Sequence, residues 1–328
     1  MDKTVVLVQL EAGSADAAAF ERALQGIEGL DLRFARGELA LAHAPETEVL
    51  VGSFVPDDFL ARAERLRWVS FTSAGVDGKL TPTLLERSPR ITSAIGVHGP
   101  NVAEHVMALM LALTHGFPLH FRDQKAKLWR DWSGSRAQGH EVFGQTLAIV
   151  GLGHIGAAVA ERAKAFHMRV AAVKREPLAP AEGLHEGSVD VLLGPPQLDA
   201  VIGAADHVVL CAPATPDTRK LFDAARFAKL KPGTWFYNVS RGSLVDTAAL
   251  VAALESGGLA GAGLDVFEEE PLPKASPLWE LPNVLITPHV AGLTPRYYER
   301  AATLFAANLR HYLTGGPLAQ EYDPKRGY

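Results

Sequence analysis

The stretch Gly151-Leu152-Gly153-His154-Ile155-Gly156 directly follows an apolar run, Thr146 to Val150. It opens an alanine-rich segment with helical spacing that reaches about Phe166, and a second apolar run, Arg169 to Val173, comes next. Strand, glycine turn, helix and strand in that order predict a βαβ unit in a parallel sheet. Each glycine then has its own task. Gly151 permits the tight turn, Gly153 removes a side chain where a pyrophosphate must approach the backbone, and Gly156 lets helix and strand pack closely. A helix start also offers N–H groups and a positive dipole end to phosphates. The motif predicts dinucleotide binding, with His154 and Ile155 inside the cradle.

The edge of the second strand carries a further signal. An Asp or Glu there accepts the ribose 2′-OH of NAD. In this chain Lys174 and Arg175 take that place, and the first acid is Glu176. Two cations attract a 2′-phosphate, so NADP(H) is expected in preference to NAD(H), with NAD(H) still possible.

Elsewhere short apolar runs alternate with helical ones. Val5 to Leu10, Val49 to Phe54 and Trp68 to Phe71 read as buried strands, and Ala17 to Leu24 as a helix. Beyond the cradle, His207 to Cys211, Trp235 to Val239, Leu264 to Phe267 and Val284 to Ile286 read as strands. Continuous apolar strands between helices suggest parallel sheets covered on both faces. Ser243 to Leu254 has helical spacing with Asp246 as a cap, and Thr294-Pro295 starts a last helix that Gly315-Gly316 ends. Asn101 to Leu113 is apolar all round, the mark of a helix buried between layers or between subunits. The polar and aromatic stretch after it, with Trp129 and Trp132, suits a subunit contact.

Composition sets the bounds. With 328 residues, 48% of them hydrophobic, the chain can form about two domains. A net charge of −5 argues against a general nucleic-acid binder. Cys211 is the only cysteine, which excludes a disulfide framework and suits a reducing cytoplasm. The N-terminal segment is too charged for a signal peptide, and no apolar run nears a membrane span, so a cytoplasmic protein is expected. His98, His105, His115, His120 and His140 crowd one region without metal-ligand spacing, so no metal is expected.

Three later segments place chemistry at strand ends, where ligands of open α/β sheets bind. They are Asn238 to Asp246, Gly263 to Leu272 and Asn283 to Gly292. Together they offer Arg241, Glu270 and His289. This set suits reduction of a 2-keto acid. An arginine holds the carboxylate or polarises the keto oxygen, a histidine gives the proton, and a glutamate orients the histidine.

In series, GLGHIG, NVSRGSLVD, GLDVFEEEPL and NVLITPHVAG resemble the D-isomer-specific 2-hydroxyacid dehydrogenase family. The resemblance covers nearly the whole chain and is strongest from Gly144 to Gly292. It implies that Arg241, Glu270 and His289 form a catalytic triad and that Asp265 lies near the nicotinamide carboxamide. Gly75 and Val76, in SAGVD, match a loop whose backbone N–H groups grip the substrate carboxylate. Val102 matches the start of the long helix. Cys211, Ala212, Pro213 and Thr218 match the loop beside the adenosine half, and Val239 a backbone contact near the nicotinamide.

The resemblance further implies an α/β fold of two Rossmann-like domains with parallel sheets and the active site in the cleft between them. Residues 1–97 with 293–328 would be the substrate domain and 98–292 the dinucleotide-binding domain. A homodimer is implied, through the apolar helix and its extension. Members resembling glyoxylate/hydroxypyruvate reductases carry cations after the second strand. The expected reaction is therefore NADPH-linked reduction of a small 2-keto acid to the D-2-hydroxy acid. The alternatives are a dehydrogenase for bulkier or NAD-linked substrates and a non-enzymatic dinucleotide sensor, which the intact triad disfavours.

Overall fold

A computed structural model describes residues 3–76, 78–130, 139–177 and 184–324. Trp132, named above for a subunit contact, lies outside them. The chain packs as two units, Met1–His98 with Thr294–Tyr328, and Gly99–Leu293.

The first unit holds five strands, β1 (Thr4–Val8), β2 (Leu30–Phe34), β3 (Val49–Gly52), β4 (Trp68–Phe71) and β5 (Arg90–Thr92). They form one parallel sheet in the order β2-β1-β3-β4-β5. Successive residues of a strand serve opposite faces. Val6, Val8, Val49 and Val51 join Phe20, Trp68, Phe305 and Leu309 in one core. Leu7, Leu50 and Val69 join Phe59, Leu60 and Leu84 in the other. Both faces are therefore apolar, which is why these strands read as unbroken hydrophobic runs. The helices Ala15–Leu24 and Tyr297–Leu313 cover the first face. Ser14 caps the former by accepting the Ala17 N–H at 3.1 Å.

The second unit has seven parallel strands, β6 (Thr146–Val150), β7 (Arg169–Val173), β8 (Val191–Leu193), β9 (His207–Leu210), β10 (Thr234–Asn238), β11 (Leu259–Leu264) and β12 (Val284–Ile286). Their order is β12-β11-β10-β9-β6-β7-β8. The order reverses between β6 and β9, the switch point where such sheets open a ligand crevice. Register brings Val150 level with Val173 and Leu210, so the strands end along one edge. The helix Gly99–Thr114 is buried within its own unit. Val102, Val106 and Met110 pack with Leu147, Ile149 and Tyr237 of the sheet. Among the described residues no single helix is long and apolar enough to cross a membrane.

Three elements differ from the sequence reading. The last helix, Tyr297–Leu313, has Arg296 rather than Thr294 at its N-cap, so Thr294-Pro295 precedes the helix instead of starting it. The strand expected at Leu264 to Phe267 ends at Leu264 and begins at Leu259. Its glycines are packing positions rather than turns. A Cβ on Gly261 would lie 2.5 Å from the Asn283 oxygen, and one on Gly263 only 3.0 Å from Leu109. The helix expected from Ser243 starts at Thr247, where the Asp246 carboxylate accepts the Ala249 N–H at 3.1 Å. Ser243 belongs instead to a short 3₁₀ turn, Gly242–Leu244.

A buried polar network ties β9 to β10. His207 Nδ1 lies 3.1 Å from the Tyr237 hydroxyl, and Nε2 lies 2.5 Å from Gln145 Oε1. The glutamine oxygen can only accept, so Nε2 carries the hydrogen and the tyrosine donates to Nδ1. Burial depresses the imidazole from its ordinary 6.5 to about 4; Asp206 opposes this shift and His140 adds to it. Between those values the unfolded chain binds a proton that the native chain excludes. Stability is therefore full above pH 6.5 and falls as pH drops toward 4. Integrated to pH 4.5, the loss from this one group is about 2–3 kcal/mol. His207→Gln should flatten that part of the urea-stability profile between pH 8 and 4.5.

Candidate active site

Gly151 follows β6, and its N–H donates to Val173 O at 2.9 Å. Its φ is +100°, and a Cβ would lie 2.5 Å from the Ala212 nitrogen. Handedness and contact both demand glycine there. At Gly156 a Cβ would lie 2.3 Å from the Gly151 oxygen, so the helix His154–Ala165 can seat against β6 only without a side chain. At Gly153 a Cβ would meet nothing within 4 Å. Gly153 is also the N-cap of that helix, and no side chain caps it. The protein itself accounts for two of the three glycines. The third leaves open space above a helix start, with His154 and Ile155 in its first turn, as a backbone cradle for a pyrophosphate requires.

Around the cradle, Lys174 follows β7, donates its N–H to Leu193 O at 3.0 Å, and is half-buried. Arg175 beside it is exposed. Cys211 follows β9 across the switch point, and its N–H donates to Val150 O at 2.8 Å. The Ala212 backbone lies against Gly151, and Thr218 folds back the loop that continues through Pro213. The Thr218 hydroxyl donates to Pro213 O at 2.7 Å and accepts the Thr215 N–H at 2.8 Å. Val102 and Val239 are buried, their side chains in the hydrophobic core.

Burial pushes the Cys211 thiol up to about 12. At pH 8 such a thiol is ionised in about one molecule in ten thousand, against about one in ten for a thiol titrating near 9. The greater nucleophilicity of a more basic thiolate recovers part of this. Alkylation by iodoacetamide should still run at least about tenfold slower than for an ordinary thiol. Such a thiol is a poor nucleophile. A rate matching free cysteine would contradict that.

Three neighbouring strand ends carry the titratable groups. Arg241 follows β10. The Asn238 side chain shapes its loop, donating to Arg241 O at 3.0 Å and accepting the Ser240 N–H at 3.1 Å. Arg241 Nη1 donates to Ser240 O at 2.8 Å. Gly242 then passes so close to the next loop that a Cβ would collide with the Phe267 carbonyl carbon at 1.8 Å. That next loop, after β11, carries Glu270. Of the acidic run, Glu268 turns to the Thr247 hydroxyl at 3.1 Å and to Lys220 at 3.5 Å. Glu270 turns the other way. Its Oε1 accepts the Phe267 N–H at 2.9 Å, and its Oε2 lies 2.7 Å from His289 Nδ1. A carboxylate can only accept, so the contact places a hydrogen on Nδ1. The histidine is half-exposed.

His289 follows β12 with φ of +54°, a left-handed conformation that costs a non-glycine residue energy. Asp265 sustains it. This buried carboxylate accepts the Val290 N–H and the Thr287 hydroxyl on Oδ1 and the Ala291 N–H on Oδ2. Its main-chain oxygen accepts the His289 N–H at 2.9 Å. Thr287 in turn lies 2.9 Å from His105 Nε2. The structure thus joins Glu270 to His289 directly and binds Asp265 to the histidine's own loop. Sequence reasoning missed Asn238, Thr287 and His105 in these positions. Asn238 and Thr287 sit inside the motifs that named the triad.

In the first unit, the loop after β4 is held by its own side chains. Lys79 Nζ donates to Ser73 Oγ at 2.6 Å, and that hydroxyl donates to Gly75 O at 2.8 Å. Val76 tucks its side chain into the core. Among the described residues, the N–H groups of Gly75 and Val76 donate to no protein acceptor.

Residues 107–291 match the family model described as D-isomer specific 2-hydroxyacid dehydrogenase, NAD binding domain. Glyoxylate/hydroxypyruvate reductase B of Citrobacter koseri is 38% identical over 271 residues, 82% of each chain. D-3-phosphoglycerate dehydrogenase of Methanocaldococcus jannaschii is 34% identical over 282 residues, 85% of this chain; the chain spans about half (52%) of that relative's length. Among solved structures, the NADPH-dependent glyoxylate/hydroxypyruvate reductase of Sinorhizobium meliloti, in complex with NADP and sulfate, is 30% identical. It superposes with a TM-score of 0.79 over 99% of this chain and 100% of that one.

Proposed function

Because this chain belongs to the D-isomer-specific 2-hydroxyacid dehydrogenase family, we propose that it reduces a small 2-keto acid, of the glyoxylate or hydroxypyruvate kind, to the D-2-hydroxy acid with NADPH. The observation that carries this reading is the 2.7 Å contact of Glu270 with His289, at strand ends of the same parallel sheet that carries the glycine cradle. With Nδ1 committed to Glu270, the imidazole offers Nε2 to the substrate.

When bound, the nicotinamide supplies the hydride that goes to the keto carbon. His289 gives its Nε2 proton to the keto oxygen, and its half-exposed ring recovers one from solvent. Arg241 holds the carboxylate or polarises the carbonyl with its fork of donors. The Gly75 and Val76 N–H groups are the grip for the carboxylate. Gly151, Gly153, His154, Ile155 and Gly156 hold the pyrophosphate, and Cys211, Ala212, Pro213 and Thr218 border the adenosine. Lys174 and Arg175 take the 2′-phosphate, a reading supported by the NADP named with the Sinorhizobium meliloti relative.

The relatives named D-3-phosphoglycerate dehydrogenase favour a second reading, oxidation of a different 2-hydroxy acid with NAD. Initial rates with both cofactors separate the two. A homodimer remains part of the proposal. Phe117 and Phe121, with rings 5.8 Å apart, and Trp129, 95% exposed, are the residues we place in its contact. Sedimentation should give a dimer, and Phe121→Asp should shift it to monomer.

A further inference from the structure

We propose that Thr287 and His105 are positioning residues for His289. The proposal rests on reading His289 as the acid–base group. The Thr287 hydroxyl has one hydrogen, and it is spent on Asp265 Oδ1 at 2.6 Å, an atom that can only accept. The 2.9 Å contact with His105 therefore runs from the histidine, with Nε2–H donating to Thr287 Oγ1. His105 stands on the helix Gly99–Thr114, 182 residues earlier in the chain, and Nε2 is also 3.8 Å from Asp265 Oδ1.

The result is a directed chain, from His105 through Thr287 to Asp265. Asp265 takes hydrogen bonds from the Val290 and Ala291 N–H groups and, on its main chain, from the His289 N–H. Residues on both sides of His289 are thereby tied to one carboxylate. Their spacing forces the left-handed backbone at His289, which aims Nδ1 at Glu270. Without the Thr287 hydroxyl, Asp265 Oδ1 loses its shortest donor and His105 loses its acceptor. The turn is then free to relax toward an ordinary φ, and the imidazole leaves Glu270.

The test compares Thr287→Val, which keeps shape and removes the hydroxyl, with Thr287→Ser, which restores it. Holoenzyme labelled with ¹⁵N-histidine is used for NMR, with His289→Asn identifying the Nδ1–H resonance hydrogen-bonded to Glu270. The expected result for Thr287→Val is loss of that resonance and at least a tenfold fall in kcat. The NADPH Kd should stay within twofold, and Thr287→Ser should keep both resonance and kcat.

Should Thr287→Val fail to fold, His105→Leu and His105→Gln, which remove and retain a donor, serve as the same pair. A Val or Leu variant that keeps the resonance and kcat overturns the proposal. So does a fall in kcat that only tracks a fall in Tm while the resonance persists. The resonance needs no turnover. An inactive wild type that shows it would defeat the functional reading and leave this proposal standing.

Discussion

His289→Asn should lower kcat/KM for keto-acid reduction roughly 10²- to 10⁴-fold, the usual worth of a positioned proton donor. The substitution keeps a polar side chain of similar reach, so the loop tied to Asp265 remains. The loss should fall on kcat, because proton transfer to the oxygen occurs only as the carbonyl is reduced. NADPH affinity, read by fluorescence, should be unchanged, since the cradle is built from β6 and its helix. Glu270→Gln should reproduce a smaller part of the loss. An amide can still meet Nδ1 but no longer lies there as an anion. Activity within tenfold of wild type in His289→Asn would assign the proton to another group.

Lys174→Ala with Arg175→Ala should raise the KM for NADPH roughly 30- to 900-fold and leave that for NADH nearly unchanged. Each charge-assisted contact with the 2′-phosphate is worth about 1–2 kcal/mol after screening at this solvent-facing edge. The carboxylate that would favour a ribose 2′-OH is absent from the end of β7, so the wild type has little to offer NADH. The double variant should therefore lose discrimination rather than invert it. Equal loss with both cofactors would mean that the pair shapes the loop and does not read the phosphate.

The cradle was legible because its three glycines follow one apolar run and precede another, a context few other folds satisfy. The parallel sheets were legible for the same reason, since strands buried on both faces leave unbroken apolar runs. Of the four edge strands, β2, β5, β8 and β12, only β12 was. β2 alternates Leu30, Leu32 and Phe34 with Asp31 and Arg33, which pair with each other at 2.6 Å, and β8 is only three residues long. The first half of β11 was missed as well, because its glycines carry no apolar side chain; Trp235 and Leu109 fill the space against them.

At the site, the motifs contain Glu270 and His289, which meet, but what holds the pair was not legible. His289's left-handed backbone and the hydrogen bonds from Thr287 and His105 depend on neighbours that no local spacing reveals. Among three adjacent glutamates, nothing local showed why Glu270 rather than Glu268 meets the histidine. The structure separates them through Lys220 and Thr247.

The most direct test of the central claim is an initial-rate comparison of purified protein with NADPH and NADH. The acids are glyoxylate, hydroxypyruvate, pyruvate, phenylpyruvate and 2-ketoisocaproate, with His289→Asn as the control. Turnover of glyoxylate or hydroxypyruvate is expected, faster with NADPH and lost in the control. Tight NADPH binding without turnover of any of the five, or a clear preference for NADH, would contradict it.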